Sequence, residues 1–131
     1  MRVRQFGGVS PYFLVDDVVR AAEYYRDALG FTCDRLWGDP PVFCMVRRGG
    51  VVIMLRQCAT PGMARPNRSL HADAWDAYIS VRDVNALRAE LVERGAKILR
   101  EPHDAVYQMR EMEVEAADGY VLCFGQETGK R

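Results

Sequence analysis

The chain has 131 residues, 49% of them hydrophobic and 27% charged, which suits one hydrophobic core and is too few for two ordinary domains. Eighteen basic side chains balance eighteen acidic ones, so no global field draws the protein to nucleic acid or to an anionic membrane. No apolar run approaches the ~18 to 20 residues that span a bilayer, and Met1 to Gly8 carries Arg2 and Arg4 without the apolar segment of a secretory leader. The expectation is a cytoplasmic protein whose partner is a small molecule or a protein.

Val9 to Val15 is dominated by β-branched, aromatic and apolar residues and reads as a strand. Val18, Ala21, Ala22, Tyr25 and Leu29 then recur at three- and four-residue steps. With Asp17 as N-cap and Gly30 as stop they predict a helix over 18–29. Phe31 to Trp37 reads as a strand, Gly38-Asp39-Pro40-Pro41 as a turn, and Val42 to Arg48 as a strand. Gly49-Gly50 makes a tight hairpin into the strand Val51 to Gln57. Residues 58–74, with Pro61, Gly62, Pro66 and Asn67, lack periodicity and form a linker loop.

The pattern then returns. Asp76 to Val81 is a strand, and Asp83 caps a helix through about Arg94 built on Val84, Leu87 and Leu91, which Gly95 stops. Ala96 to Arg100, Gln108 to Val114 and Tyr120 to Gly125 are three further strands, with Asp118-Gly119 as the last turn. Superposed, the two strand-to-helix passages match at Tyr12/Tyr78, Val15/Val81, Asp17/Asp83 and Val18/Val84. Because element order, capping aspartate and stop glycine repeat as well, the chain reads as one domain, 1–131, of two βαβββ modules over 9–57 and 75–126. The four cysteines, Cys33, Cys44, Cys58 and Cys123, are too widely spaced for a zinc or redox motif and read as free thiols.

The segments YFLVDDVVRAAEYYRDALGF, AYISVRDVNALRAELVERGAKI and MREMEVEAADGYVLCFGQ resemble the glyoxalase/bleomycin-resistance/dioxygenase, or vicinal oxygen chelate, superfamily. In character the chain is closest to the metal-free, bleomycin-resistance-like members. The resemblance implies an α+β fold: eight strands in two curved four-stranded sheets that form a cup-shaped open barrel, helices outside, commonly completed in a homodimer.

Enzymes of that family place one metal ligand, typically His, Glu or Gln, in each of four strands. The corresponding positions here are Ser10, Met54, Asp76 and Cys123. Only Asp76 and Cys123 suit zinc or a hard divalent ion; a thioether prefers copper(I), and a neutral hydroxyl is a poor ligand. The neighbouring positions offer no substitutes, so neither a metal nor another cofactor is expected. His71 and His103, the two histidines, fall in loop-like stretches and read as solvated, with a stray ion at His71 and Asp73 as the alternative.

If Ser10 and Asp76 point into the cup, alternation sends Tyr12, Leu14, Tyr78 and Ser80 the same way, Met54 brings Val52 and Arg56, and Cys123 brings Val121. Trp37 and Trp75 sit at strand ends on the rim, Tyr107 in a loop able to close over a ligand, and Arg110 on the following strand. The expected ligand-binding set is therefore Tyr12, Trp37, Met54, Arg56, Trp75, Asp76, Tyr78, Tyr107, Arg110 and Cys123. The competing reading pairs Arg56 and Asp76 with each other, or with Arg47 and Arg110, in a filled core, and leaves the tryptophans to packing or dimer contacts. No base accompanies Cys123 or Ser10, so no nucleophile is assigned. Function narrows to metal-independent binding of a small, antibiotic- or natural-product-like molecule. The alternatives are a metal-dependent lyase, isomerase or dioxygenase with an atypical site, or an interaction module docking through the loop that carries Arg65 and Arg68.

Overall fold

A computed structural model describes residues 4–129, so Arg2 and the rest of Met1–Val3 lie outside the described residues. The first module comprises β1 (Tyr12–Val15), α1 (Val18–Leu29), β2 (Thr32–Trp37), β3 (Phe43–Arg48) and β4 (Val51–Gln57). The second repeats it with β5 (Ala77–Ser80), α2 (Val84–Glu93), β6 (Ile98–Asp104), β7 (Met109–Glu115) and β8 (Val121–Glu127). The sheets run in the equivalent orders β1-β4-β3-β2 and β5-β8-β7-β6. In each, the first strand lies parallel to the last and the remaining pairs are antiparallel.

Local chemistry explains the repeat. Asp17 accepts hydrogen bonds from the Val19 and Arg20 amides at 3.1 Å, and Asp83 from the Ala86 amide at 3.0 Å, satisfying donors that every helix start leaves free. A second cap comes from the last strand of each module: Gln57 Oε1 accepts from the Val18 amide and Gln126 Oε1 from the Val84 amide. Gly30 closes α1 at φ 75°. A side chain there would also collide with the Arg48 guanidinium, whose Nη1 lies 2.7 Å from an ideal Cβ.

Alternate residues of each sheet face its helix. Phe13, Val15, Cys44, Val46, Ile53 and Leu55 pack under Val18, Ala21, Tyr25 and Leu29; Ile79, Met112, Val114, Leu122 and Phe124 pack under Val84 and Leu91. These two layers belong to one core. The Phe13 ring stacks on Tyr120 at 4.4 Å, the Tyr120 hydroxyl donates to the Leu14 carbonyl at 2.7 Å, the Tyr24 hydroxyl donates to the Glu115 carbonyl, and Arg48 pairs with Glu90. The modules thus meet through their helix-bearing sides, which leaves the opposite face of each sheet turned outward.

One expectation needs correction. His103 is not in a loop: β6 runs on to Asp104 and places His103 opposite Glu111. As an edge strand with register shifts, β6 has no outer neighbour to miss the absent N–H of Pro102. The aperiodic segment 58–74 contains a short 3-10 helix, Asn67–Ser69, and is held at several points, Asp16 accepting from the Gly62 amide at 2.7 Å and Asp76 from the Asn67 amide at 2.7 Å. Among the described residues no helix is long and apolar enough to cross a membrane.

Candidate functional site

The outward faces of the two sheets differ in chemistry. On the first, strand register aligns Tyr12 with Met54 and Met45, and Leu14 with Arg56, Phe43 and Trp37. Tyr12 is 55% exposed and tilts against Phe43 at 6.2 Å; the Arg35 guanidinium lies 3.6 Å over the Trp37 ring. Arg56 is exposed, and no hydrogen bond or ion pair is found for it among the described residues.

The second outward face holds a compact polar cluster. Register sets Tyr78, Cys123 and Glu113 in one row and Gly125 and Glu111 in the next. Glu111 is 2% and Glu113 5% exposed. The Tyr78 and Tyr107 hydroxyls both donate to Glu111 Oε2, at 2.8 and 2.6 Å. Tyr78 reaches Glu111 by lying across Gly125, where any Cβ would overlap its phenol. Arg68, sent in from the linker, donates from Nη2 to Glu113 Oε1 at 2.7 Å and from Nε to the Ala74 carbonyl at 3.2 Å. Trp75 closes one side with its ring 5.7 Å from Tyr78.

The electrostatics follow from this burial. The hydrogen bond to Glu111, followed by burial, pushes the Tyr107 phenol up to about 12. Burial, then the bond to Glu111, raises Tyr78 further. Both tyrosines therefore remain donors near neutrality. The Cys123 thiol is pushed up to about 12 by burial and then by Glu111 and Glu113, which keeps it protonated and a poor nucleophile. Arg68 pairs with Glu113 alone, while Glu111 is held by the two phenols; Arg100, on β6 opposite Glu113, is a further cation whose charge is felt at Tyr107 and Cys123.

Of the ten residues expected to bind ligand, Trp75, Tyr78, Tyr107 and Cys123 come together here, while Tyr12, Trp37, Met54 and Arg56 lie on the first outward face. Asp76 sits between. One of its carboxylate oxygens accepts from the Asn67 amide and the other from the Val121 amide at 2.8 Å, and with Ser10 it lines a cavity of about 440 Å³ bounded by the segment before β1, by β4 and by β5. Arg110 points to the helix side, bonded to Asn85 and Asp104. Arg47 pairs with Asp34, so the Arg56, Asp76, Arg47 and Arg110 pairings of a filled core do not form. Sequence reasoning missed Glu111, Glu113 and Gly125, and read Arg68 only as part of a contact loop. The available signal was the Glu-x-Glu-x-Glu alternation of 111–115.

The family's metal does not fit these residues. Asp76 spends both oxygens on backbone amides, and Ser10 and Met54 offer only a neutral hydroxyl and a thioether. No group of three or more His, Cys, Asp or Glu side chains among the described residues is arranged to hold an ion.

The family model described as Glyoxalase/Bleomycin resistance protein/Dioxygenase superfamily matches residues 9–124. The chain belongs to that superfamily. Solved structures of similar fold include TioX from Micromonospora sp. ML1, 18% identical over 92% of this chain and 99% of that one, with a TM-score of 0.67. A glyoxalase/bleomycin resistance protein/dioxygenase from Nocardioides is 16% identical over 99% and 92%, with a TM-score of 0.67. A glyoxalase-related enzyme from Clostridium phytofermentans is 14% identical over 95% and 99%, with a TM-score of 0.72. At these identities the likeness is one of fold. No curated protein matches the chain. The superfamily's α+β plan of two βαβββ modules is the one this chain adopts.

Proposed function

We propose that this superfamily member binds a small, natural-product- or antibiotic-like molecule without a metal, on the outward face of the second sheet, through an aromatic and a cationic part of the ligand. The observation that carries this reading is the buried Glu111–Glu113 pair, in which Glu113 has the Arg68 guanidinium and Arg100 opposite it while Glu111 has no ion-pair partner among the described residues, only two phenol donors. Buried carboxylates are costly unless compensated, and an ammonium or guanidinium group of a ligand would supply a cationic partner to Glu111. Tyr78, Tyr107 and Trp75 offer ring faces and edges for the aromatic part.

A second copy of the chain completes the site in this proposal. Its first outward face presents Tyr12, Leu14, Trp37 and Arg56, which has no ion-pair partner among the described residues, complementary in charge and character to the acidic face. All four cysteines are free thiols, which suits the reducing cytoplasm assigned to it. The alternative of a metal-dependent lyase, isomerase or dioxygenase lacks a fitting ligand set.

The test is calorimetric titration with metal-free bleomycin, together with a thermal-shift screen of amine-bearing aromatic antibiotics. At least one compound should bind saturably, and Glu111→Gln should weaken it at least tenfold. A stoichiometric ion retained after incubation with nickel, zinc, manganese or iron(II), read by elemental mass spectrometry, would overturn the proposal and bring the enzyme reading forward.

A further inference from the structure

A separate crevice opens on the helix side of the molecule, where the modules abut. The C-terminal end of α1, the β3–β4 hairpin, the end of β5 and α2 enclose about 310 Å³. Its apolar walls are Leu29, Phe31, Ile79, Leu87, Leu91 and Phe124. These residues belong to the layer under the helices, so the crevice is distinct from the outward faces that carry Tyr12 and Glu111.

The charged side chains lining it are Arg48 and Arg82, and no acid lines it. Arg48 donates to the Leu29 carbonyl at 2.8 Å and pairs with Glu90, which also takes Arg94 at 2.7 Å. Both guanidinium groups pack over Gly30. Arg82 is exposed, with no hydrogen bond or ion pair among the described residues. Two cations, Arg48 in its ion pair and Arg82 without a partner among the described residues, therefore border walls that are mainly hydrocarbon and aromatic.

We propose that this crevice is a second ligand site, for a small amphipathic carboxylate whose apolar part enters between Leu87 and Phe31 and whose anionic head meets Arg82. The size limits the class. A space of about 310 Å³ lies at the lower end of small-molecule pockets and holds on the order of ten non-hydrogen atoms, the scale of a medium-chain fatty acid or an arylalkanoate. The apolar wall selects against a bare phosphate or sulfate, and the unpaired arginine selects against a neutral hydrocarbon. Because both modules contribute to the walls, an occupant would also tie them together.

Titration of the full chain with octanoate, by calorimetry and by amide chemical-shift mapping, tests this. Octanoate should bind saturably and perturb Leu87, Arg82 and Gly50, and uncharged octanamide should bind about tenfold more weakly. Arg82→Gln, at an exposed position, should weaken octanoate about tenfold while leaving the melting temperature of the free protein unchanged. Leu87→Trp, which fills the crevice, should abolish binding of both compounds. Absence of saturable binding, equal affinity in wild type and Arg82→Gln, or perturbations centred on Tyr78 and Glu111 would each overturn the proposal. The bleomycin and octanoate titrations use different residues, so failure of one leaves the other standing.

Discussion

Arg68→Ala isolates what the linker contributes to the polar cluster. Its guanidinium holds Glu113 at 2.7 Å and the Ala74 carbonyl at 3.2 Å. Removing it leaves a carboxylate side chain that is 7% exposed without its cation, while the arginine side chain is itself 29% exposed. Breaking a fully buried pair from one side costs about 3–5 kcal/mol. Since Arg68 keeps partial contact with water, the lower range applies, about 2–3 kcal/mol. For a chain of this size, roughly 4 °C per kcal/mol converts that to a fall of about 8–12 °C in melting temperature. Urea unfolding at pH 7 should show a lower midpoint at an unchanged slope. Glu113→Gln, whose partner Arg68 turns to solvent, should cost less. In the Glu113→Gln background Arg68→Ala should then cost no more than about 1 kcal/mol, the price of the Ala74 bond. An Arg68→Ala effect below about 0.5 kcal/mol, or one of equal size in both backgrounds, would refute the reasoning, because the ion pair would then carry no coupling.

Other perturbations reach different parts of the same account. Tyr25→Phe should be neutral or stabilising by about 1 kcal/mol in chemical denaturation, since its buried hydroxyl finds no hydrogen-bond partner among the described residues. Gly125→Ala should displace Tyr78 from Glu111; spectrophotometric titration should then detect a tyrosine with a lower phenol pKa than the wild type shows. Gly30→Ala should destabilise by about 1–3 kcal/mol, from the left-handed backbone and the contact with Arg48. Burial raises the Asp118 carboxyl above its unfolded value, so its contribution to stability is present below the unfolded pKa and is lost as pH rises through the folded one. Asp118→Asn, which keeps an acceptor for the Asp16 amide and tolerates φ 62°, should therefore raise the melting temperature at pH 7, and the gain should vanish toward pH 3. A gain independent of pH would contradict the assignment.

Much of the architecture was legible because the signals are local. Asp17, Asp83 and Gly30 act at the positions their chemistry predicts, and period-two alternation assigned Tyr12, Leu14, Met54 and Arg56 to one face and Tyr78 and Cys123 to the equivalent one. The readings that missed depended on distant chain. Glu111 and Glu113 alternate with Met112 and Val114 as the solvent side of a strand would; they are buried by Arg68, Tyr78 and Tyr107, arriving from three separate segments. Asp76 invites reading as a ligand, yet the Asn67 amide of the linker takes one of its oxygens and the Val121 amide at the start of β8 the other. The continuation of β6 past Pro102 depends on its place at the sheet edge, which only topology decides.

The two modules also show where such a repeat is free to diverge. Their helix-facing layers must fit one shared core, and both keep the same devices there: an aspartate cap, a glutamine from the last strand on the helix start, and aliphatic pairs beneath the helix. A change in that layer disturbs close packing on both sides of the Phe13–Tyr120 stack. The outward faces carry no such constraint within the chain. There, Met54 on one sheet answers to Cys123 on the other, and the rows beside them have become aromatic and cationic in the first module and acidic in the second. Complementary charge on two faces that point away from each other cannot be satisfied inside one chain, so it becomes useful only when a second molecule, ligand or chain, brings the opposite face to each.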